Sequence, residues 1–211
     1  MLEHLGLAAG VGPLLAEATA AMRRLVALDA ATADGAGADG DGPTAARGGT
    51  SGPGDAPAGA ATPAAIAARI DGAVPILYVP AALEAVGRRW KAQLNENAKV
   101  AAGYDCAPEL HHNTVVAYEN APNGVSPLLP TLLRPAAGDA AMALTARLLD
   151  DLGLPHADVR APSGLSWLAQ GLWLVQFGDL VSVRLAYRRG VDPTPIEAIT
   201  RIKALRATAA G

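Results

Sequence analysis

One stretch of this chain cannot contribute to a hydrophobic core, and it limits which residues can belong to a folded domain. Residues 31–61 are almost entirely Ala, Gly, Asp, Thr, Ser and Pro, and no large apolar side chain occurs between Ala30 and Ile66. Such a segment buries too little surface to offset its chain entropy. We therefore predict a flexible linker over residues 31–61, a tethered helical piece over 1–30 that is not part of the main body, and one folded domain over 62–211.

Within 62–211, apolar runs alternate with stretches of helical periodicity. A continuous apolar run bounded by a proline is typical of a strand that is covered on both faces. The pattern predicts an α/β fold with an open, mostly parallel sheet and helices on both faces. The predicted strands are 74–79, 128–133 and 157–160, and the predicted helices are 63–70, 82–100, 108–117, 139–152, 164–188 and 193–207. We predict one further helix before the linker, in which Leu14, Ala18, Met22 and Leu25 form an apolar stripe.

Composition and charge exclude several classes of protein. The net charge is −3 and no block of Lys or Arg occurs, so we expect no nucleic-acid partner. Cys106 is the single cysteine, which rules out an intrachain disulfide and is compatible with a reducing compartment. The N-terminus lacks a basic signal region, and polar residues interrupt the apolar stretch over 167–183. We expect a cytoplasmic protein with no membrane partner.

Polar side chains concentrate in two short segments that follow the first predicted strand, residues 90–99 and 108–113. In open parallel sheets ligands sit at the carboxyl ends of the strands, which makes this edge a possible place for a site. Glu96 falls off the apolar stripe of its helix and within the last turn. It is either a solvated surface glutamate or a general base whose surroundings are shaped by Asn95 and Asn97.

Two further candidates have an ordinary and a functional interpretation. His112 shares a helical face with Glu109, so a carboxylate could fix its tautomer and make it a proton shuttle; otherwise it is a partly exposed histidine at a helix end. The Glu109-x-x-His112 spacing also fits a metal site, but no second such motif occurs and we predict no metal. Lys203 is either a helix-end cation or an ammonium that polarises a sugar oxygen.

Four blocks of the sequence carry a resemblance to a known family. In chain order they are AVPILY at 73–78, RWKAQLNENAK at 89–99, PELHHN at 108–113, and GDLVSV at 178–183 continuing to GVDPTP at 190–195. Together they resemble the C-terminal domain of the bacterial and archaeal bifunctional phosphoglucose/phosphomannose isomerases, which consist of two sugar-isomerase (SIS) domains. The resemblance covers about 62–207 and implies a three-layer, flavodoxin-like SIS fold.

The resemblance implies roles for particular residues. Glu96 corresponds to the glutamate that moves a proton between C1 and C2 through an enediol, His112 to a histidine that assists ring opening, and Lys203 to a C-terminal lysine of the same site. Asn95, Asn97 and Glu109 are the expected substrate-binding residues. The substrate is a sugar phosphate, and no cofactor is needed because enediol chemistry uses acid and base groups. The histidine is expected to act in the site of a partner subunit in a dimer.

The sequence departs from the family pattern at several points. His111 stands where Asn is usual, Thr114 where Glu is usual, and residues 79–81 replace a Gly/Ser loop. The family's first SIS domain, which supplies a phosphate-binding loop and an arginine, has no counterpart in this sequence. We therefore expect an incomplete or partner-dependent isomerase that works as a homodimer or with a separate SIS-domain chain. The alternative is a non-catalytic module that binds carbohydrate derivatives or mediates dimerisation.

Overall fold

The computed structural model describes residues 8–35, 61–119 and 127–209. Helices and strands are interspersed along these ranges after the first two helices. In chain order the elements are α1 (Ala8–Gly35), α2 (Pro63–Ile70), β1 (Val74–Pro80), α3 (Glu84–Glu96), β2 (Gly103–Ala107), β3 (Leu128–Arg134), α4 (Ala140–Asp151), β4 (Ala157–Arg160), α5 (Trp167–Arg188) and α6 (Glu197–Ala209). No helix in this part of the chain is both long and apolar enough to cross a membrane.

The described strands form one parallel sheet with the order β2-β1-β3-β4. The register pairs Val79 with Cys106 on one side of β1 and Tyr78 with Leu132 on the other. The strand order reverses at β1, as in doubly wound sheets. The predicted parallel α/β sheet is confirmed, with β1 at its centre.

Helices cover both faces of the sheet, which gives three layers. In β1, Leu77 and Val79 pack into the core beneath α2, α3 and α5, whereas Tyr78 packs into the core on the face of α4. This two-sided burial explains why β1 reads as a continuous apolar run rather than an alternating one. The largest side chain of the first core, Trp90, is fully buried and stacks on Phe177 with 6.0 Å between ring centroids.

Helix α1 packs against α5, although the sequence predicts a tethered piece outside the main body for residues 1–30. Leu25 is buried in the same core as β1. The Asp29 carboxylate pairs with the Arg184 guanidinium at 2.9 Å, and the Glu17 carboxylate accepts the Ser166 N–H at 2.7 Å. The apolar stripe of α1 needs a partner, and α5 provides one. The helix continues to Gly35, into the predicted linker, and residues 36–60 lie outside the described residues.

Several element boundaries differ from the sequence prediction. Helix α3 ends at Glu96 rather than at residue 100, because the chain adopts a left-handed conformation at Lys99 with φ 55°. Strand β2 was not predicted, and residues 108–117 contain two 3₁₀ turns, Glu109–His112 and Thr114–Tyr118, instead of one helix. Helix α6 begins at Glu197 rather than at residue 193.

The late start of α6 has a local cause. The Asp192 carboxylate accepts the Thr194 N–H at 2.8 Å and closes a turn within the loop before the helix. That backbone bond lowers the pKa of Asp192 below its usual range. Asp192 therefore shapes the loop and does not cap α6.

Candidate functional site

A groove runs along the outward face of α3 and holds part of the predicted site. Its volume is about 510 Å³, and its lining side chains come from α3, β2 and α6: Arg88, Lys91, Ala92, Asn95, Glu96, Tyr104 and Ile199. The α3 residues recur at helical spacing on the face opposite to Trp90 and Leu94, which are fully buried. The amphipathic pattern of α3 therefore fixes which side chains face the groove.

One end of the groove is organised by an ion pair. Arg88 donates to the Glu84 carboxylate at 2.7 and 3.0 Å, and the Tyr104 hydroxyl donates to the same oxygen at 3.3 Å. The Arg88 guanidinium also lies 5.9 Å from the centre of the Tyr104 ring. Hydrogen bonding to Arg88 lowers the pKa of Glu84 and raises the pKa of Arg88. Both groups are therefore charged at neutral pH, and Lys91 brings a further cationic side chain to the wall one turn along.

Glu96 and Asn95 form the other end of the groove. Both are exposed, so a carboxylate and an amide can meet a bound molecule there. The position at the end of α3 is electrostatically costly for Glu96, since unpaired helix carbonyls carry partial negative charge. The Lys99 ammonium lies at this helix end and donates to one of these carbonyls, the Glu96 backbone oxygen, at 2.5 Å. A cation therefore offsets the charge of the helix end beside Glu96.

Asn97 turns away from the groove. Its amide donates to the Ser182 hydroxyl at 2.9 Å, and that hydroxyl donates to the Asp179 carbonyl at 2.7 Å. Arg89 of α3 pairs with the Asp179 carboxylate at 3.2 Å. In this structure Asn97 ties the end of α3 to α5, whereas its neighbour Asn95 faces the groove.

His112 and Glu109 lie at the opposite edge of the sheet from Glu96. Both are exposed residues of the 3₁₀ turn that follows the carboxyl end of β2. Helix α3 starts at that edge but runs back along the sheet, so its last residue reaches the amino ends of the strands, about 20 Å away for a 13-residue helix. In one copy of the chain, the two polar segments therefore place Glu96 and His112 at opposite edges of the sheet.

The turn that carries His112 is braced by its neighbours. His111 hydrogen-bonds the Thr145 hydroxyl at 2.8 Å, which connects the turn to α4. The Thr114 hydroxyl donates to the Asp105 carboxylate of β2. Thr114 and His111, two of the positions that depart from the family pattern, thus hold the turn in place, and His112 is exposed.

Lys203 lies on α6 one turn beyond Ile199, which lines the groove. Residues four apart share a helix face, so Lys203 lies on the side of α6 that carries Ile199, although it is not itself among the lining residues. The structure thus places Glu96 and Asn95 in the groove, Asn97 in the α3–α5 contact, and His112 with Glu109 at the far edge, while Lys203 lies on α6 one turn beyond the groove residue Ile199. Within the described ranges, no cluster of three or more His, Cys, Asp and Glu side chains could hold a metal ion.

Sequence reasoning missed Arg88, Lys91, Tyr104 and Lys99 as contributors to this region. Arg88, Lys91 and Asn95 recur at the spacing of one helical face, which could have marked them as a shared surface. Tyr104 lies on the unpredicted strand β2, so its position could not be placed without the sheet. The Lys99 contacts join segments that are about 95 residues apart and carry no local signal.

Comparison with known proteins identifies the domain family of the chain. The family model described as "Bacterial phospho-glucose isomerase C-terminal SIS domain" matches residues 61–205. A bifunctional phosphoglucose/phosphomannose isomerase of Aquifex aeolicus is 36% identical over 142 residues, which is 65% of this chain and 44% of the relative. A protein of the same name from Thermoplasma volcanium is 29% identical over 62% of this chain and 42% of its own length.

Solved structures show the same fold. A glucose-6-phosphate isomerase-like protein from Thermus thermophilus has a TM-score of 0.53 and 22% identity over 62% of this chain and 44% of its own. A hypothetical protein from the same organism has a TM-score of 0.59 and 16% identity over 71% of this chain and 45% of its own. The chain spans less than half the length of the relatives that it matches.

Proposed function

This chain belongs to the family of bacterial phospho-glucose isomerase C-terminal SIS domains, and from that membership we propose that it serves the aldose–ketose isomerisation of a hexose 6-phosphate. One structural observation carries the proposal. The exposed Glu96 side chain lies in the wall of a groove of about 510 Å³, with Asn95, Lys91 and Arg88 on the same helix face. A base, an amide and cations on one wall suit a polyhydroxylated, anionic substrate.

The proposed reaction needs only a base and groups that stabilise an enediol. The Glu96 carboxylate removes the proton from C2 of the aldose; the C–H electrons form the C1–C2 double bond, and the carbonyl oxygen gains a proton. Return of the proton to C1, with loss of the hydroxyl proton at C2, gives the ketose. Lys203 would polarise the reacting oxygens from α6.

His112 fits this scheme only as a residue of a second copy. In one chain it lies about 20 Å from Glu96, beyond the reach of a single substrate. We therefore propose that the working unit is a homodimer, or a complex with a separate SIS-domain chain, in which His112 assists ring opening in the partner's groove. Glu109, on the same turn, would orient the imidazole.

The test is a coupled assay of the purified chain with fructose 6-phosphate that follows glucose 6-phosphate and mannose 6-phosphate. Glu96→Gln should lower kcat by at least about 100-fold, since general-base catalysis contributes that much. Glu119→Gln, a change at an exposed glutamate that does not line the groove, is the matched control and should retain turnover. Turnover that survives Glu96→Gln would contradict the assignment of the base.

A second function is favoured by a separate observation. Helix α6 buries none of its residues and exposes Ile202 and Leu205 by 52% and 60%. Exposed aliphatic side chains on one helix suit a dimerisation module without catalysis. If the chain is well folded but inactive, its oligomeric state is measured by sedimentation analysis. A stable dimer that dissociates in the Leu205→Glu variant would favour this alternative.

A further inference from the structure

Lys99 connects the Glu96 end of α3 to the loop that leads into α6. Its ammonium donates to the Glu96 carbonyl at 2.5 Å and to the Pro195 carbonyl at 2.7 Å, and it lies 3.5 Å from the Pro193 carbonyl. One cation thus joins two segments that are far apart in sequence. Charge-assisted hydrogen bonds of this kind are roughly twice as strong as neutral ones.

The backbone at Lys99 adopts a conformation that side chains disfavour. Among the described residues it is the single non-glycine residue with a positive φ, 55°. A left-handed conformation at a lysine is costly and persists where the surroundings hold it. A glycine would satisfy the turn equally well, so the turn alone does not require a lysine there.

Helix α6 needs an anchor because its own packing does not provide one. None of its residues is buried, although Ile199 reaches the groove wall. The loop before α6 is ordered on the other side by the Asp192 carboxylate, which accepts the Thr194 N–H at 2.8 Å. Lys99 contacts Pro193, which lies within this turn, and Pro195, which lies between the turn and the first residue of the helix, Glu197.

We propose that Lys99 is a positioning residue that holds α6 beside the groove and so keeps Ile199 in the wall that Glu96 also lines. The contribution of Lys99 to isomerisation rests on the function proposed above, whereas its hold on α6 does not. A purely local role, in which Lys99 caps α3 alone, would leave α6 unaffected by loss of the ammonium. The two roles therefore make different predictions for the same helix.

The first experiment measures amide hydrogen exchange in the full chain with Lys99→Gly. Glycine accepts the left-handed backbone, so this variant removes the ammonium without adding strain. Exchange of α6 amides should accelerate about tenfold, while the amides of β1 and β3 remain as in the wild type. Lys91→Met, which removes a cation from the same groove, is the matched control and should leave α6 exchange unchanged. Unchanged α6 exchange in Lys99→Gly would overturn the proposal.

Chemical rescue tests whether the ammonium itself acts. In a Cys106→Ala background, Lys99→Cys offers one thiol that aminoethylation converts to a close analogue of lysine. The unmodified variant should show the fast α6 exchange of Lys99→Gly, and the aminoethylated protein should return to the slow exchange of the wild type. Fast exchange after complete modification would contradict the proposed contact.

A kinetic measurement separates this inference from the proposed function. If the wild type isomerises fructose 6-phosphate, Lys99→Gly should lower kcat/KM at least about tenfold, with recovery on aminoethylation. Equal kcat/KM values in Lys99→Gly and the wild type would refute a role of Lys99 in positioning the site. If the wild type is inactive but the exchange result is as expected, the proposed isomerase function is rejected, and the proposal that Lys99 holds α6 stands.

Discussion

At Gly178 the packing of α5 against α3 depends on the absence of a side chain. A Cβ built there would stand 2.6 Å from Cδ1 of Trp90, whose ring is fully buried and donates its N–H to the Leu174 carbonyl at 2.7 Å. The Trp90 ring has no room to retreat because Phe177 stacks against it. Small-to-large changes at such contacts cost about 1–3 kcal/mol.

We predict that Gly178→Ala destabilises the chain by about 3 kcal/mol, measured as the free energy of unfolding in urea. Gly171→Ala on the same helix is the matched control, since its added Cβ would have its nearest neighbour, Leu83, at 3.9 Å. There the gain in helix propensity should dominate, and stability should be equal to or above that of the wild type. Similar losses in both variants would contradict the steric argument.

The Tyr78 and Tyr118 hydroxyls share a hydrogen bond in the core on the α4 face. Burial, together with this bond, raises the pKa of Tyr78 far above its usual range, and burial raises the pKa of Tyr118. The folded state therefore keeps both protons when the unfolded chain loses them. Stability that depends on this pair is fully present below about pH 10 and is lost as the pH rises above it.

We predict that the free energy of unfolding falls above about pH 10 by up to about 1.4 kcal/mol per pH unit for each of the two tyrosines. The double variant Tyr78→Phe/Tyr118→Phe should lose much of this dependence between about pH 8 and pH 11. Tyr187→Phe, at a site that is 71% exposed, should keep the wild-type profile. Identical profiles for the double variant and the wild type would exclude the pair as the source.

At the scale of elements, α1 is joined to α5 by a largely buried ion pair. The Asp29 side chain is 6% exposed and that of Arg184 is 32% exposed. Arg184→Met takes a cation away from the buried Asp29 carboxylate, and loss of one partner of a buried ion pair costs about 3–5 kcal/mol in the deepest sites. We predict a loss of about 3 kcal/mol in Arg184→Met, measured by urea unfolding.

The control for Arg184→Met is an exposed pair of the same type. Arg147 and Asp151 lie 3.6 Å apart with side chains that are 80% and 68% exposed, so Arg147→Met should change stability by less than about 0.5 kcal/mol. If Arg184→Met were equally mild, the ion pair would contribute little to the stability of the α1–α5 contact. Asp29→Leu/Arg184→Met should recover part of the loss, because no charge then remains buried.

The sequence predicted the elements whose signals are local. Val74–Pro80 and Leu128–Arg134 are continuous apolar runs, and their burial on two faces follows from that. Thr62 and Asp139 directly precede α2 and α4, and both side chains cap these helices. Strand β2 has no such run: it is the five-residue segment GYDCA, half-buried at a sheet edge, and it is a strand because β1 lies beside it.

The candidate site was predictable in its residue types and not in its geometry. The position of Glu96 at the end of α3 follows from helical periodicity, but its distance from His112 depends on the direction in which α3 crosses the sheet. The inward turn of Asn97 depends on Ser182, which comes from a helix 85 residues later. Contacts between distant segments of this kind leave no pattern in one sequence.

At the scale of the whole molecule, the separation of Glu96 and His112 makes a prediction about mixtures. If each site takes Glu96 from one copy and His112 from the other, Glu96→Gln and His112→Gln chains are each inactive but complement one another. Random re-pairing of a symmetric dimer then gives one intact site in half of the dimers, so activity should recover to about a quarter of the wild-type value.

The control for this mixing experiment is Glu96→Gln mixed with Glu96→Gln/His112→Gln, which offers no intact site. Activity is measured after dissociation and re-association of the copies. A mixture that recovers no more than this control would mean that His112 does not act across a dimer in the proposed site.

The order of the sheet has a consequence for how the chain behaves at high concentration. Its two outer strands, Gly103–Ala107 and Ala157–Arg160, have five and four residues, and both carry charged side chains. Long, flat, apolar edges pair with the edges of other molecules and lead to aggregation, whereas short charged ones do not offer a template. The longer apolar strands β1 and β3 lie between them. The strand order that places β1 at the centre of the sheet therefore also keeps this apolar strand from pairing with other molecules in amyloid-like assemblies.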